Sequence, residues 1–145
     1  MNSQTTKKTV LLIEDNESDI ELAKEAFSHV NTNVELVSID NGIEGLDYVF
    51  KRNGYEHVAS PDLILLDLNI PKLDGKGVLE IIKKDRSLHS IPVIILTGSQ
   101  QERDKHSSLD LFANCFMLKP NNGDDFIEMI AQIERFWLAN KYLSH

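Results

Sequence analysis

A single cysteine, Cys115, excludes any disulfide within this chain and suits a reducing compartment. Set inside an apolar run, it reads as a small core residue rather than a thiol nucleophile. Cations are also scarce. Fifteen Lys and Arg face 23 Asp and Glu, a formal charge of -8, and no dense basic cluster occurs. A nucleic-acid-binding surface needs such a cluster, so that class is excluded. No apolar run approaches the roughly 18 residues that a membrane span requires. The polar opening, residues 1–8, lacks the apolar centre of an export signal. The expected location is therefore cytoplasmic, with no membrane contact. Repeats and low-complexity tracts are absent too, and 145 residues make one domain with a real core.

Short aliphatic runs that end in polar functional groups are what the sequence does have. Asp62-Leu63-Ile64-Leu65-Leu66-Asp67 lies between Pro61 and Pro71 and reads as a strand buried on both faces, the kind found in parallel sheets. Residues 9–13 form a similar run ending in Glu14-Asp15. Residues 91–96, with Pro92 near the start, end in Thr97-Gly98, and residues 115–118 end in Lys119-Pro120. Residues 33–39 alternate polar and apolar, as an exposed edge strand does.

Amphipathic stretches separate the runs. Helices are predicted over about 17–29, over a stretch with Ile43, Leu46, Val49 and Phe50 inward, and over one that holds Val78, Leu79, Ile81 and Ile82 and ends near Arg86. A weak fourth is predicted over 100–112 and a long last one over 124–142. Asn53-Gly54 is expected to end the second. Residues 1–7 read as a flexible lead-in and 8–145 as one domain with an extended C-terminal helix. The resulting alternation predicts an α/β doubly wound, five-stranded parallel sheet of order 2-1-3-4-5 flanked by five helices, a flavodoxin-like topology.

In a parallel sheet the ends of these strands share one edge, so Glu14, Asp15, Asp67, Thr97 and Lys119 converge. Three carboxylates in one crevice repel one another unless a cation is supplied. Oxygen ligands favour Mg²⁺, and its charge with that of Lys119 balances the three acids. A hydroxyl and an ammonium beside them are suitable donors for phosphoryl oxygens.

With these residues in place, the sequence resembles the receiver domains of bacterial two-component response regulators over about residues 8–140. The resemblance rests on Glu14-Asp15, Asp67 in Leu-Leu-Asp-Leu-Asn-Ile-Pro, Asp74-Gly75, Thr97-Gly98 and Lys119-Pro120. Residues 112–120 and the ending Ile-Glu-Arg-Phe-Trp-Leu also look like the small single-domain regulators that partner bacterial phytochromes. The resemblance implies that Asp67 accepts a phosphoryl group from a sensor histidine kinase. Mg²⁺ would be held by Asp15, Asp67 and the backbone carbonyl of Asn69, with Glu14 acting through water. Lys119 would pair with the phosphorylated carboxylate and Thr97 with a phosphoryl oxygen. Thr97 would be coupled to the aromatic at Phe116, which lacks a tyrosine's hydroxyl and leaves only ring packing as a switch. A cis Lys119-Pro120 bond is also implied. On this reading the protein is a phosphoacceptor rather than an enzyme.

No output domain is expected after the receiver, so the signal leaves by protein contact or by relay to a histidine phosphotransfer protein. The last helix carries more apolar residues than one face needs. Phe126, Ile130, Ile133 and Trp137 form an inward stripe, flanked by Met129 and Phe136 on one side and by Ile127 and Leu138 on the other. Met129, Phe136 and Trp137 are candidates for a homodimer or partner face, or alternatively for extra core. The segment 100–112 is where a phosphorylation-linked rearrangement is expected. Two rivals fit less well. An aspartate-nucleophile phosphohydrolase needs a second acid where Asn69 stands. A flavin module needs a Ser/Thr/Gly-rich phosphate loop where Glu14-Asp15-Asn16-Glu17 stands.

Overall fold

The computed structural model describes residues 7–30, 33–98 and 115–138. Five parallel strands run in the order β2-β1-β3-β4-β5: β1 Lys8–Ile13, β2 Val34–Ile39, β3 Leu63–Asp67, β4 Val93–Thr97 and β5 Cys115–Leu118. Every residue of β3 and β4 is buried, because neighbours cover both their edges and helices both their faces. β2 is half-exposed along most of its length, as the alternation of 34–39 predicts for an edge. Asp62 falls just before β3 rather than within it. Its carboxylate accepts the Thr9 amide at 2.8 Å while its own N–H donates to Thr9 O.

Strand alternation sorts the core into two layers. Leu11, Ile13, Ile64, Leu66, Val93 and Ile95 face α2 (Gly42–Phe50) and α3 (Gly75–Lys84). Val10, Leu12, Leu63, Leu65, Ile94 and Leu96 face α1 (Glu17–Val30) and α4 (Gly123–Ile133). At 25 cal/mol per Å², each fully buried aliphatic side chain contributes about 1.5–3 kcal/mol. These two layers therefore hold the strand ends rigidly. Cys115 packs half-buried against the second layer, as a core residue should.

Four α-helices occur among the described residues, against five expected; the helix predicted over 100–112 lies outside them, as do residues 1–6 and 139–142. Ile43 is not inward but 46% exposed, while Gly45 faces Ile13 of the sheet and Gly42 faces Leu73 and Val78. α2 ends at Lys51, which itself takes the left-handed conformation (φ 57°) and donates its N–H to Asp47 and Tyr48 carbonyls. Asn53-Gly54 comes next as a turn, also at positive φ.

The final helix differs most from expectation. Its α-helical part stops at Ile133 and a π-helical turn, Glu134–Leu138, replaces the rest. One extra residue in the turn rotates the chain beyond it by about 100°. Ile133 is therefore succeeded on the inner face by Leu138, five residues on, which is 3% exposed. Trp137 is left half-buried and Phe136 is 69% exposed. Met129 is 6% exposed and packs in the core while also lining a shallow groove with Phe116 and Met117. No described helix is long and apolar enough to cross a membrane.

Candidate functional site

The carboxyl edge of the sheet gathers the side chains that the strand ends supply. Glu14 follows β1, Asp67 closes β3, Thr97 closes β4 and Lys119 follows β5. By alternation Glu14, Asp67 and Lys119 all continue the rows facing α1 and α4. Their polar atoms accordingly meet. The Lys119 Nζ lies 3.0 Å from Glu14 Oε1 and 3.2 Å from Asp67 Oδ2. Lys119 is aimed there by the end of β5, where its N–H donates to Thr97 O at 2.7 Å. A cis Lys119-Pro120 bond is not found, as no cis peptide occurs among the described residues. The pull of three acids and that backbone hydrogen bond suffice to direct the amine.

Asp67 is held at both oxygens: Oδ1 accepts the Asn69 amide at 3.0 Å and Oδ2 faces Lys119. Behind it, the expected Asp74-Gly75 pair has a steric role. Asp74 caps α3 by accepting the Gly77 N–H at 2.9 Å, and Gly75 donates to Leu68 O. A Cβ on Gly75 would stand 2.5 Å from Asp67 O and 2.6 Å from Leu68 Cα. Only glycine lets α3 begin this close to the functional carboxylate.

Glu14, Asp15 and Asp67 each bring a carboxylate oxygen within 4.8 Å of the others'. Glu14 and Asp67 are buried, whereas Asp15 is exposed and flanks a polar cleft of about 340 Å³ beside Asp40 and Glu44. The all-oxygen donor set, with an open side at Asp15, suits a hard divalent cation that keeps several waters. The electrostatics point the same way. Burial, then a hydrogen bond with Asp67 and its charge, push the Glu14 carboxyl up to about 7, despite the opposing effect of Lys119. Burial alone would depress Lys119, but the hydrogen bond to Asp19 and the charges of Asp67 and Glu14 raise it, so it stays protonated. The pocket is thus short of positive charge, and a divalent ion would supply it.

Asp19 is a site residue that sequence reasoning missed, because there it reads only as a helix-start acid. Its Oδ2 is 2.8 Å from Lys119 Nζ, the shortest of the three contacts. The signal was local: Asn16 caps α1 by accepting the Asp19 N–H at 3.0 Å, which turns the third residue of the helix toward the sheet edge. That Lys119 would reach α1 was not legible from spacing. Thr97 is buried at 1% exposure, and strand alternation places it on the same sheet face as Phe116, which packs half-buried on the α2/α3 layer. Among the described residues, nothing lies within 4 Å of where a Cβ on Gly98 would stand. Phe136 and Trp137 line an apolar groove of about 430 Å³ with Cys115 and Met117, well away from the carboxylates in sequence and on the α4 side.

Comparison with known proteins agrees with this site. Residues 10–131 match the family model of the response regulator receiver domain. Response regulator Rcp1 of Synechocystis is 39% identical over 131 residues, spanning 90% of this chain and 89% of its own length. Among solved structures, the phosphorylated cyanobacterial phytochrome response regulator RcpA superposes with a TM-score of 0.84 at 40% identity, covering 92% of this chain and 96% of its own. The Mn²⁺-bound form of Rcp1 gives 0.80 at 39% identity, covering 91% and 95%. A parallel 2-1-3-4-5 sheet with an acidic triad and a lysine at its carboxyl edge, matched along nearly its whole length, means that this chain belongs to the response regulator receiver domain family.

Proposed function

We propose that this protein is a response regulator whose Asp67 accepts a phosphoryl group from a phosphohistidine of a sensor kinase. The observation that carries this reading is the placement of Asp67. It is buried at the sheet edge, 3.2 Å from a lysine ammonium and grouped with two further carboxylates. In the transfer, Asp67 Oδ forms a bond to phosphorus as the N–P bond of the donor breaks, and the electron pair leaves with the imidazole. Mg²⁺, held by Asp15, Asp67 and the Asn69 carbonyl with Glu14 behind a water, would neutralise the carboxylates and the phosphoryl oxygens.

Every other contribution comes from the chain. Asn69 N–H fixes one oxygen of Asp67, so the carboxylate meets phosphorus in one orientation. Lys119 places a permanent positive charge beside the accepting oxygen. The Thr97 hydroxyl is the donor for a phosphoryl oxygen, and the space at Gly98 admits the donor molecule. Phe116, on Thr97's face, repacks when Thr97 moves inward. The phytochrome response regulators among its relatives favour a bacterial phytochrome as the kinase. The exposed Phe136 and the groove beside it are the contact surface for the next protein or for a second copy.

The test is labelled phosphotransfer from a phytochrome histidine kinase to wild type and Asp67→Asn, with Mg²⁺ or with chelator. Label should appear only on the wild type with Mg²⁺. Equal labelling of both proteins would refute the assignment.

A further inference from the structure

We propose that Asp19 is a positioning residue that competes with the phosphoryl group for Lys119, and so restrains the phosphorylation of Asp67. This deepens the reading of Asp67 as phosphoacceptor and rests on it. An ammonium has three N–H donors. In the structure three acids surround that of Lys119: Asp19 Oδ2 at 2.8 Å, Glu14 Oε1 at 3.0 Å and Asp67 Oδ2 at 3.2 Å. No donor is left over, so a phosphoryl oxygen can engage Lys119 only if one acid gives way.

The three acids differ in how readily they can do so. The Glu14 side chain is 1% exposed, and losing the amine would strand a buried carboxylate. Asp67 carries the phosphoryl group itself and keeps the amine close whichever oxygen is modified. Asp19 is the most open at 20% exposure, so water can take the place of the amine there. Asp19 is therefore the contact that must release, and it is also the shortest. Its backbone cannot follow the lysine, because the Asp19 N–H is tied to Asn16 Oδ1 in the first turn of α1.

Charge works in the same direction. With Asp19 counted, the site holds four carboxylates, Glu14, Asp15, Asp19 and Asp67, and one ammonium, so a divalent cation still leaves one negative charge in excess. A dianionic phosphoryl group enters against that excess. Neutralising Asp19 weakens its hold on an N–H of Lys119 and removes a repelling charge at once, whereas a role confined to holding the fold predicts a loss in both phosphorylation and stability.

The experiment compares the full chain as wild type, Asp19→Asn, Asp19→Glu and Asp67→Asn. The rate of Asp67 phosphorylation by acetyl phosphate with Mg²⁺, which releases acetate, is followed by intact mass, and the affinity for beryllofluoride with Mg²⁺ by fluorine NMR. Asp19→Asn should react about three- to tenfold faster and bind beryllofluoride tighter by a similar factor, as expected for a unit charge a few ångströms off in a partly wet site. Asp19→Glu, which keeps the charge, should return toward wild type. Asp19→Ser serves as a second neutral variant should Asp19→Asn melt early. Rates and affinities at or below wild type in the folded neutral variants would overturn the role of Asp19 alone. Phosphorylation of Asp67→Asn equal to wild type would instead overturn the phosphoacceptor reading beneath it.

Discussion

Raising the pH from 5 to 8 without divalent cation should cost this protein stability through Glu14. In the unfolded chain Glu14 titrates near its ordinary 4.5, whereas burial beside Asp67 pushes it up to about 7 in the folded state. Between those values the folded protein retains a proton that the unfolded chain has released. Stability from this group is therefore fully present below 4.5 and is lost as pH rises through 7, with a slope of up to about 1.4 kcal/mol per pH unit. The full loss is about 3 kcal/mol by pH 8, a large part of a typical domain's stability. The other shifted groups do not mimic it. Lys119 is raised, so its contribution is constant below 10.5, while Asp47 and Asp85 are lowered and contribute fully above 3.8.

Glu14→Gln isolates the effect. The amide can serve only one of the two partners, Lys119 Nζ and the Asn16 N–H, that Glu14 now satisfies, but that loss is the same at every pH. Urea denaturation in chelator at pH 5 and pH 8 should show the variant gaining about 2.5 kcal/mol on wild type across the interval. Added Mg²⁺ should restore the wild type at pH 8, and its affinity should weaken about tenfold per unit below pH 7, because the ion competes with the Glu14 proton. A difference between wild type and variant that does not change with pH would refute the account of the pocket as short of positive charge.

Packing sets the remaining outcomes. Leu138→Ala should destabilise by about 2–4 kcal/mol and Phe136→Ala by less than about 0.5 kcal/mol in urea, since the π turn buries the first and exposes the second; the reverse order would mean a continuous α-helix. Gly75→Ala should cost about 2–4 kcal/mol and slow phosphorylation of Asp67, because the new methyl meets the backbone of Asp67 and Leu68. Gly98→Ala, with no described residue within 4 Å of the new methyl, should stay within about 0.5 kcal/mol of wild type by the same measurement.

The sequence by itself determined the sheet and most of its chemical edge. Uniform aliphatic runs mark β3 and β4, alternation marks β2 as an edge, and parallel strands bring Glu14, Asp67, Thr97 and Lys119 to one side whatever the details of packing. Those signals are local and periodic, so one dimension suffices to read them. Tertiary structure alone decided three things. It set Asp19 against Lys119, residues 100 apart in sequence, because a helix start and a strand end happen to face the same amine. It inserted a π turn that exchanged Trp137 for Leu138 in the core, a one-residue slip to which a helical wheel is blind. It also made Glu14 a group that holds its proton near neutrality, since proton affinity depends on burial and on the charges that folding brings within a few ångströms.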